Sequence, residues 1–276
     1  MSNEAQIDFW NGPAGDVWVE AQEYMDRMLA PLSELATARA ASQANERAID
    51  VGCGCGATTL ALASSGSSVW GVDISEPMLA QAKTRAKQRG LNNVAFSVTD
   101  AASQNYTPDH DLVFSRFGVM FFDDPKAAFS NLRQSLKPDG RLVFICWQKP
   151  AENPWMSIAG RAAQPFLPES GAQDPKAPGP FAFADRDWVR EILDTSGYRD
   201  ISIEPVTPVL TVGKDVEEAM YIQGRIGPMA RVLSELEGDV REQAMSAVRA
   251  ALAEHETDAG VQLRAGAWLV TACNSD

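Results

Sequence analysis

The chain has 276 residues, 45% of them hydrophobic and 22% charged, with 24 Lys and Arg against 37 Asp and Glu, a formal charge of −13. Such a chain can bury a full core, and no apolar run approaches the roughly 20 residues of a membrane span. The negative charge disfavours nucleic acid as a partner, the four cysteines are too few and wrongly spaced for a disulfide framework or a zinc site, and the partner expected is a small molecule.

Taken in order, Pro13 to about Ala41 reads as a helix, with Val17, Ala21, Tyr24, Met25, Met28, Leu32 and Leu35 at helical spacing and Pro31 as a kink. Trp18 and Gln22 on it are candidate ligand contacts, although aromatics at such spacing more often pack. The start, Met-Ser-Asn-Glu-Ala-Gln, lacks a basic stretch followed by an apolar segment, so no secretory signal is read and a cytoplasmic location is expected.

Ala48 to Leu62 organises the rest. A short apolar strand carries Asp50 and reaches three glycines at alternate positions, Gly52, Gly54 and Gly56, before a helix containing Leu60, Ala61 and Leu62. Glycine lets the chain turn sharply and lets backbone N–H groups approach a ligand, so a small molecule is expected here. The turn, with Cys53 and Cys55 inside it, also fits the dinucleotide fingerprint, so the ligand stays open at this point.

A second strand, Ser68 to Ile74, ends on Asp73, about twenty residues past the turn, where a carboxylate can accept both ribose hydroxyls of an adenosine. Ser75 serves as the cap of a helix that ends at Gly90. A third strand, Asn93 to Thr99, ends on Asp100, followed by Ala101; the acid suits an adenine amino group or a plain turn. His110 and Asp111 open a fourth strand running into Arg116 and the aromatics Phe117, Phe121 and Phe122. Lys126 to Leu136 reads as helix, Lys137-Pro-Asp-Gly140 as a turn, and Arg141 to Trp147 as a fifth strand. The alternation gives an α/β fold with a doubly wound parallel sheet.

In order and at these spacings, Ile49-Asp-Val-Gly-Cys-Gly-Cys-Gly56, Val72-Asp-Ile-Ser75, Asp111-Leu-Val-Phe-Ser115 and Leu136-Lys-Pro-Asp-Gly-Arg-Leu142 resemble the class I S-adenosylmethionine-dependent methyltransferases, particularly the small-molecule type 11 branch. The resemblance implies a seven-stranded, mostly parallel, Rossmann-like sheet whose last strand, Ala265 to Cys273, is antiparallel. It implies S-adenosyl-L-methionine as cofactor and S-adenosyl-L-homocysteine as product. Asp50 and the backbone around Gly52, Cys53 and Gly54 would hold the methionine portion, and Asp73 the ribose, with Ile74 against the adenine. Asp100 would accept from the adenine amino group, Ala101 would offer its N–H, and Ser115 its carbonyl to the ammonium. Cys55 departs from the Thr or Ser common in the family.

A single domain is expected over 1–276, with an N-terminal helical cap at 1–47, a cofactor core at 48–148 and lid insertions at 148–184 and 213–260. The first insertion, rich in proline, reads as a poor regular helix, and the second as helices carrying Met220, Tyr221, Ile222, Ile226, Met229, Val232 and Leu236. Arg225 and Arg231 are surface cations or candidate partners for a substrate carboxylate. His110 falls at the sheet edge away from ligands, His255 is unplaced, and Asp123 and Asp124 fit a turn, so no catalytic base is assigned. Two other readings remain: a catalytically silent cofactor-binding partner subunit, and a nicotinamide-dependent oxidoreductase.

Overall fold

The computed structural model describes residues 4–167, 174–225 and 236–274. Its contacts divide the chain into two compact units, 1–147 with 175–206 and 267–276, and 148–174 with 207–266. The second unit's segments therefore differ from the expected insertions: 175–184 belongs with the first unit, and 207–212 and 261–266 with the second.

The first unit is built on β1 (Arg47–Val51), β2 (Ser68–Asp73), β3 (Val94–Val98), β4 (His110–Arg116), β5 (Leu136–Trp147), β6 (Arg199–Val206) and β10 (Ala267–Cys273). They form one seven-stranded sheet in the order β3-β2-β1-β4-β5-β10-β6. β1 to β5 pair in parallel, and β10 runs antiparallel to both β5 and β6. Strands covered on both faces read as continuous apolar runs, which is why Ile49, Val51, Leu112, Val113 and Phe114 are buried without alternation.

Helices α4 (Ala57–Ala63), α5 (Glu76–Gln88), α6 (Pro125–Arg133) and α8 (Arg186–Thr195) follow β1, β2, β4 and β5. The amino-terminal stretch is three helices, α1 (Glu4–Asn11), α2 (Pro13–Glu20) and α3 (Gln22–Ala40), broken at Ala21, and α3 runs on through Pro31. Met25, Met28, Leu29, Leu32 and Ala36 give α3 a continuous buried stripe, which outweighs the roughly 3 kcal/mol that an interior proline costs.

Lys137-Pro-Asp-Gly140 lies inside β5 rather than ahead of it. His110 pairs with Leu136 and Leu112 with Arg141, so the four residues form a bulge. Asp139 adopts φ 62° there. Asn274 fixes the bulge, its N–H donating to the Gly140 carbonyl at 2.8 Å and its side-chain amide to that of Leu136 at 3.0 Å. Turn chemistry was legible; the partner that pulls it into a strand was not local.

The second unit holds α7 (Pro154–Ala163), α9 (Val216–Gln223) and α10 (Gly238–Ala253), with an antiparallel sheet ordered β7 (Val209–Thr211), β9 (Gly260–Arg264), β8 (Glu256–Thr257). α7 corrects the reading of the first insertion as irregular: Pro154 sits in the first helical turn, where its missing N–H has no partner to lose. The small sheet was not anticipated. Met220 and Ile222 are buried, Tyr221 is exposed, and Ile226, Met229, Arg231 and Val232 lie outside the described residues.

Candidate functional site

The carboxyl ends of β1, β2 and β4 meet at the glycine turn. Gly52, Gly54 and Gly56 have φ of 65°, 52° and 79°, the left-handed region that disfavours side chains. Their tasks differ. A Cβ on Gly52 would stand 2.6 Å from the Cα of Gly118, so those two glycines let the turn after β1 press against the turn after β4. A Cβ on Gly54 would meet only Met78 Sδ, at 3.7 Å, and otherwise enters open space. Gly52 serves the packing, and Gly54 leaves room over the turn.

The Asp73 carboxylate spans this turn and the next helix. One oxygen accepts from the Gly54 N–H at 2.7 Å and the other from the Ser75 N–H at 2.9 Å. Ser75 in turn caps α5 through the Met78 N–H. Burial pushes the Asp73 carboxyl above its ordinary range, against the backbone N–H groups of Ser75, Gly54 and Ile74.

Asp50 is wholly buried. One oxygen accepts from Thr58 Oγ1 at 2.8 Å and from Thr59 Oγ1 at 2.6 Å. The other has no hydrogen-bond partner. Burial raises its pKa to about 6, the two threonines and Arg116 act against the rise, and Asp73 adds to it. Arg116, at the end of β4, donates to Ser33 Oγ at 3.1 Å, and burial lowers its own pKa. Asp50 thus keeps a buried acceptor without a donor, and the space over Gly54 is open.

Ser115 donates through Oγ to the Val51 carbonyl at 2.7 Å and accepts from the Gly118 N–H at 3.2 Å, tying β4 to the end of β1. The Gly52 and Cys53 N–H groups both donate to the Val72 carbonyl, at 2.9 and 3.2 Å. Burial pushes the Cys55 thiol to about 12 and raises that of Cys53, so both behave as protonated small residues. Among the described residues no cluster of His, Cys, Asp and Glu could hold a metal ion.

Asp100 follows β3 and turns the chain, its side chain accepting from the Ala102 N–H at 2.9 Å. Ala101 is buried, and its carbonyl accepts from Asn131 and Tyr106 at 3.3 Å each. Ile74 is half-buried, and its carbonyl accepts from Asn11 Nδ2 at 2.9 Å, which brings the end of α1 to this edge. Trp18 stands edge-on to Trp10 at 5.9 Å, and Trp10 edge-on to Phe121 at 5.5 Å, an aromatic group at the same edge. Gln22 is committed elsewhere: it donates to Asp26 at 2.7 Å and accepts from Gln81 at 3.3 Å.

That network contains residues the sequence reading missed. Arg85 is buried, pairs with Asp26 and donates to the Cys55 carbonyl at 2.5 Å, so α3 and α5 jointly hold the glycine turn. Charges on separate helices leave no local signal. In the sequence Phe117 is one aromatic in a run of them. It adopts φ 63° and stacks on Trp147 with centroids 3.8 Å apart. A bulky side chain in that region is strained, and such strain gathers at functional sites.

Asp124 caps α6 through the Ala127 N–H at 3.0 Å, and Asp123 is exposed. His110 is at the amino end of β4, His255 precedes β8 in the second unit, and the Arg225 guanidinium lies 5.1 Å from the Tyr221 ring centroid. No described helix is long and apolar enough to cross a membrane.

Residues 49–144 match the family model described as a methyltransferase domain. The chain is 33% identical over 124 residues to the aklanonic acid methyltransferase DauC of Streptomyces sp. (strain C5), covering 44% of this chain and 53% of that one. It is 26% identical over 182 residues to the ubiquinone biosynthesis O-methyltransferase of Methylococcus capsulatus, covering 63% and 74%. The chain spans about half the length of the curated relatives it first matches. In fold it resembles the phosphoethanolamine N-methyltransferase 2 of Haemonchus contortus, solved with S-adenosyl-L-methionine, at 18% identity and a TM-score of 0.63 over 100% of this chain and 60% of that one. The strand order and the glycine turn agree with the family match, so residues 49–144 form the core of a methyltransferase domain on a Rossmann-like sheet.

Proposed function

We propose that the protein transfers a methyl group from S-adenosyl-L-methionine to a small, partly apolar metabolite, leaving S-adenosyl-L-homocysteine. The observation that carries this reading is the pairing at one sheet edge of the open cradle over Gly54 with two buried carboxylates, Asp50 and Asp73, each raised in pKa by burial. Two such carboxylates close together favour a cationic ligand, and a sulfonium with an ammonium is one. When bound, the cofactor supplies a methyl group on an electron-poor sulfur.

The chain's own residues do the rest. An ionised carboxylate has about four acceptor sites, and Asp73 spends one per oxygen on the Gly54 and Ser75 N–H groups; those remaining take the ribose hydroxyls. The free oxygen of Asp50 takes a donor from the amino-acid end. Ile74, Asp100 and Ala101 would take the adenine side, and the Ser115 carbonyl would accept from the ammonium. Trp18 adds apolar surface through its contact with Trp10, and Gln22 acts at a remove by holding Asp26. Phe117 on Trp147 and Trp10 on Phe121 give the edge apolar walls that suit a partly apolar acceptor and exclude water from the displacement.

Calorimetry on the full chain tests this. S-adenosyl-L-homocysteine should bind, and Asp73→Ala should weaken it by about 1.5–3 kcal/mol for each charge-assisted hydrogen bond lost. A folded sample that binds neither cofactor nor product would refute the reading. Transfer of labelled methyl groups into small molecules of a cell extract tests the acceptor class, and label found only in macromolecules would exclude a metabolite.

A further inference from the structure

The connection from β3 to β4, Thr99 to Asp109, contains no helix. A crossover between parallel strands usually lays a helix on the sheet face it passes. Here a loop passes instead, and a cavity of about 420 Å³ remains at the amino ends of β1, β2 and β4, the edge opposite the glycine turn. Arg47, Trp70, Ala95, Tyr106, Asp109 and His110 are among its lining residues.

Three rings frame it. Trp70 lies 6.1 Å from Tyr106, edge-on, and 6.2 Å from His110 with 28° between the planes. Burial lowers the pKa of His110, against the pull of Asp109. The Trp70 indole N–H is already committed to Ser97 Oγ at 3.0 Å, and the Tyr106 hydroxyl to the Ala101 carbonyl at 3.3 Å. The Trp70 and Tyr106 rings therefore offer surface rather than hydrogen bonds.

The polar capacity comes from Arg47, Asp109 and the His110 ring nitrogen. Arg47 pairs with Asp109 Oδ2 at 2.5 Å, and the Arg47 side chain is 53% exposed. Asp109 Oδ1 lies 2.8 Å from His110 Nδ1, yet the two are not aligned, and both buried atoms lack a hydrogen-bond partner. Buried orphan atoms are costly, about 1–3 kcal/mol each, and a ligand that reached them would remove that cost. Because Arg47 and Asp109 offset each other, the cavity favours neither anion nor cation.

We propose that this cavity is a second small-molecule site, separate from the glycine turn, for a neutral planar aromatic ring bearing an adjacent hydrogen-bond donor and acceptor. The volume falls in the range of about 300–1,000 Å³ typical of ligand pockets, the rings offer stacking faces, and Asp109 with Arg47 supplies an acceptor beside a donor.

Benzamide is the probe, titrated into the full chain labelled with ¹⁵N at tryptophan, with the Trp70 indole N–H resonance assigned by its loss in Trp70→Phe. The resonance should shift saturably. Tyr106→Ala, in the loop, and the isosteric Asp109→Asn should each weaken benzamide by about tenfold, while Asp109→Asn leaves S-adenosyl-L-homocysteine affinity unchanged. Absence of a saturable shift, unaltered benzamide affinity in Tyr106→Ala, or displacement of benzamide by S-adenosyl-L-homocysteine would each overturn the proposal.

Discussion

The two edges of the seven-stranded sheet handle carboxylates in opposite ways. At the carboxyl edge Asp50 and Asp73 are buried with backbone N–H and hydroxyl donors, and burial holds both above the ordinary range. At the amino edge each acid faces a cation. Arg141 grips Glu46 with two bonds of 2.8 and 2.9 Å and holds its carboxyl low. Burial would raise Asp111, but the Arg47 backbone N–H and the Lys137 ammonium keep it below the usual range. The amino edge pairs these two acids with cations, whereas at the carboxyl edge neither Asp50 nor Asp73 has a cation hydrogen-bonded to its carboxylate, an arrangement that suits a cationic ligand.

The sharpest way to break this contrast is at the turn itself. Gly52→Ala forces a side chain into φ 65° and a Cβ to within 2.6 Å of the Gly118 backbone. Backbone cannot move aside as a side-chain tip can, so a loss of about 2–5 kcal/mol is expected. Urea denaturation measures it, and a loss below about 1 kcal/mol would mean that the two turns are not in fact pressed together.

The next largest effect is a pH dependence at Asp50. Its folded-state pKa of about 6 lies above the ordinary 3.8, so the protonated form favours folding; that contribution is whole below about pH 4 and is lost as pH rises through about 6. Ionisation by pH 7 or above costs about 3 kcal/mol. Asp50→Asn carries no charge to pay for, so its stability relative to the parent should rise between about pH 4 and pH 7. Parallel denaturation curves for parent and variant across that range would show that Asp50 is not a strained carboxylate.

Gly54→Ala sharpens the division of labour between the glycines. Its φ is 52° but the space above is open, so a stability cost of about 1–2 kcal/mol is expected. The same methyl group enters the cradle, so affinity for S-adenosyl-L-homocysteine should fall by more than the stability cost implies. Calorimetry beside denaturation separates the two, and unchanged affinity would move the ligand away from Gly54.

How much of this was legible follows from how local each determinant is. Asp50, Gly52, Gly54 and Asp73 sit on strand ends that the apolar runs Ala48 to Val51 and Ser68 to Val72 announce, so their meeting at one edge follows from parallel strands alone. Arg85 and Asp26 carry no such marker, because their pairing depends on how α3 and α5 lie across the turn. Gly118 reads as one glycine among aromatics until Gly52 is seen against it. The strands Val209–Thr211 and Glu256–Thr257 are too short for any period to show. The long strand Leu136–Trp147 hid a bulge that Asn274, far along the chain, helps hold in place.

The smallest effect belongs to the amino edge. Arg47 and Asp109 form a close pair, but their side chains are 53% and 36% exposed, and solvent screens such pairs. Arg47→Ala should cost less than about 1 kcal/mol, and the cost should shrink further in high salt. Its backbone N–H to Asp111, at 2.9 Å, survives the substitution, so the start of β1 stays anchored. Cofactor affinity should not change, since no charge at the opposite edge depends on this one. If Arg47→Ala weakened S-adenosyl-L-homocysteine as much as Gly54→Ala does, the two edges would be coupled through β1, and their independence would have to be given up.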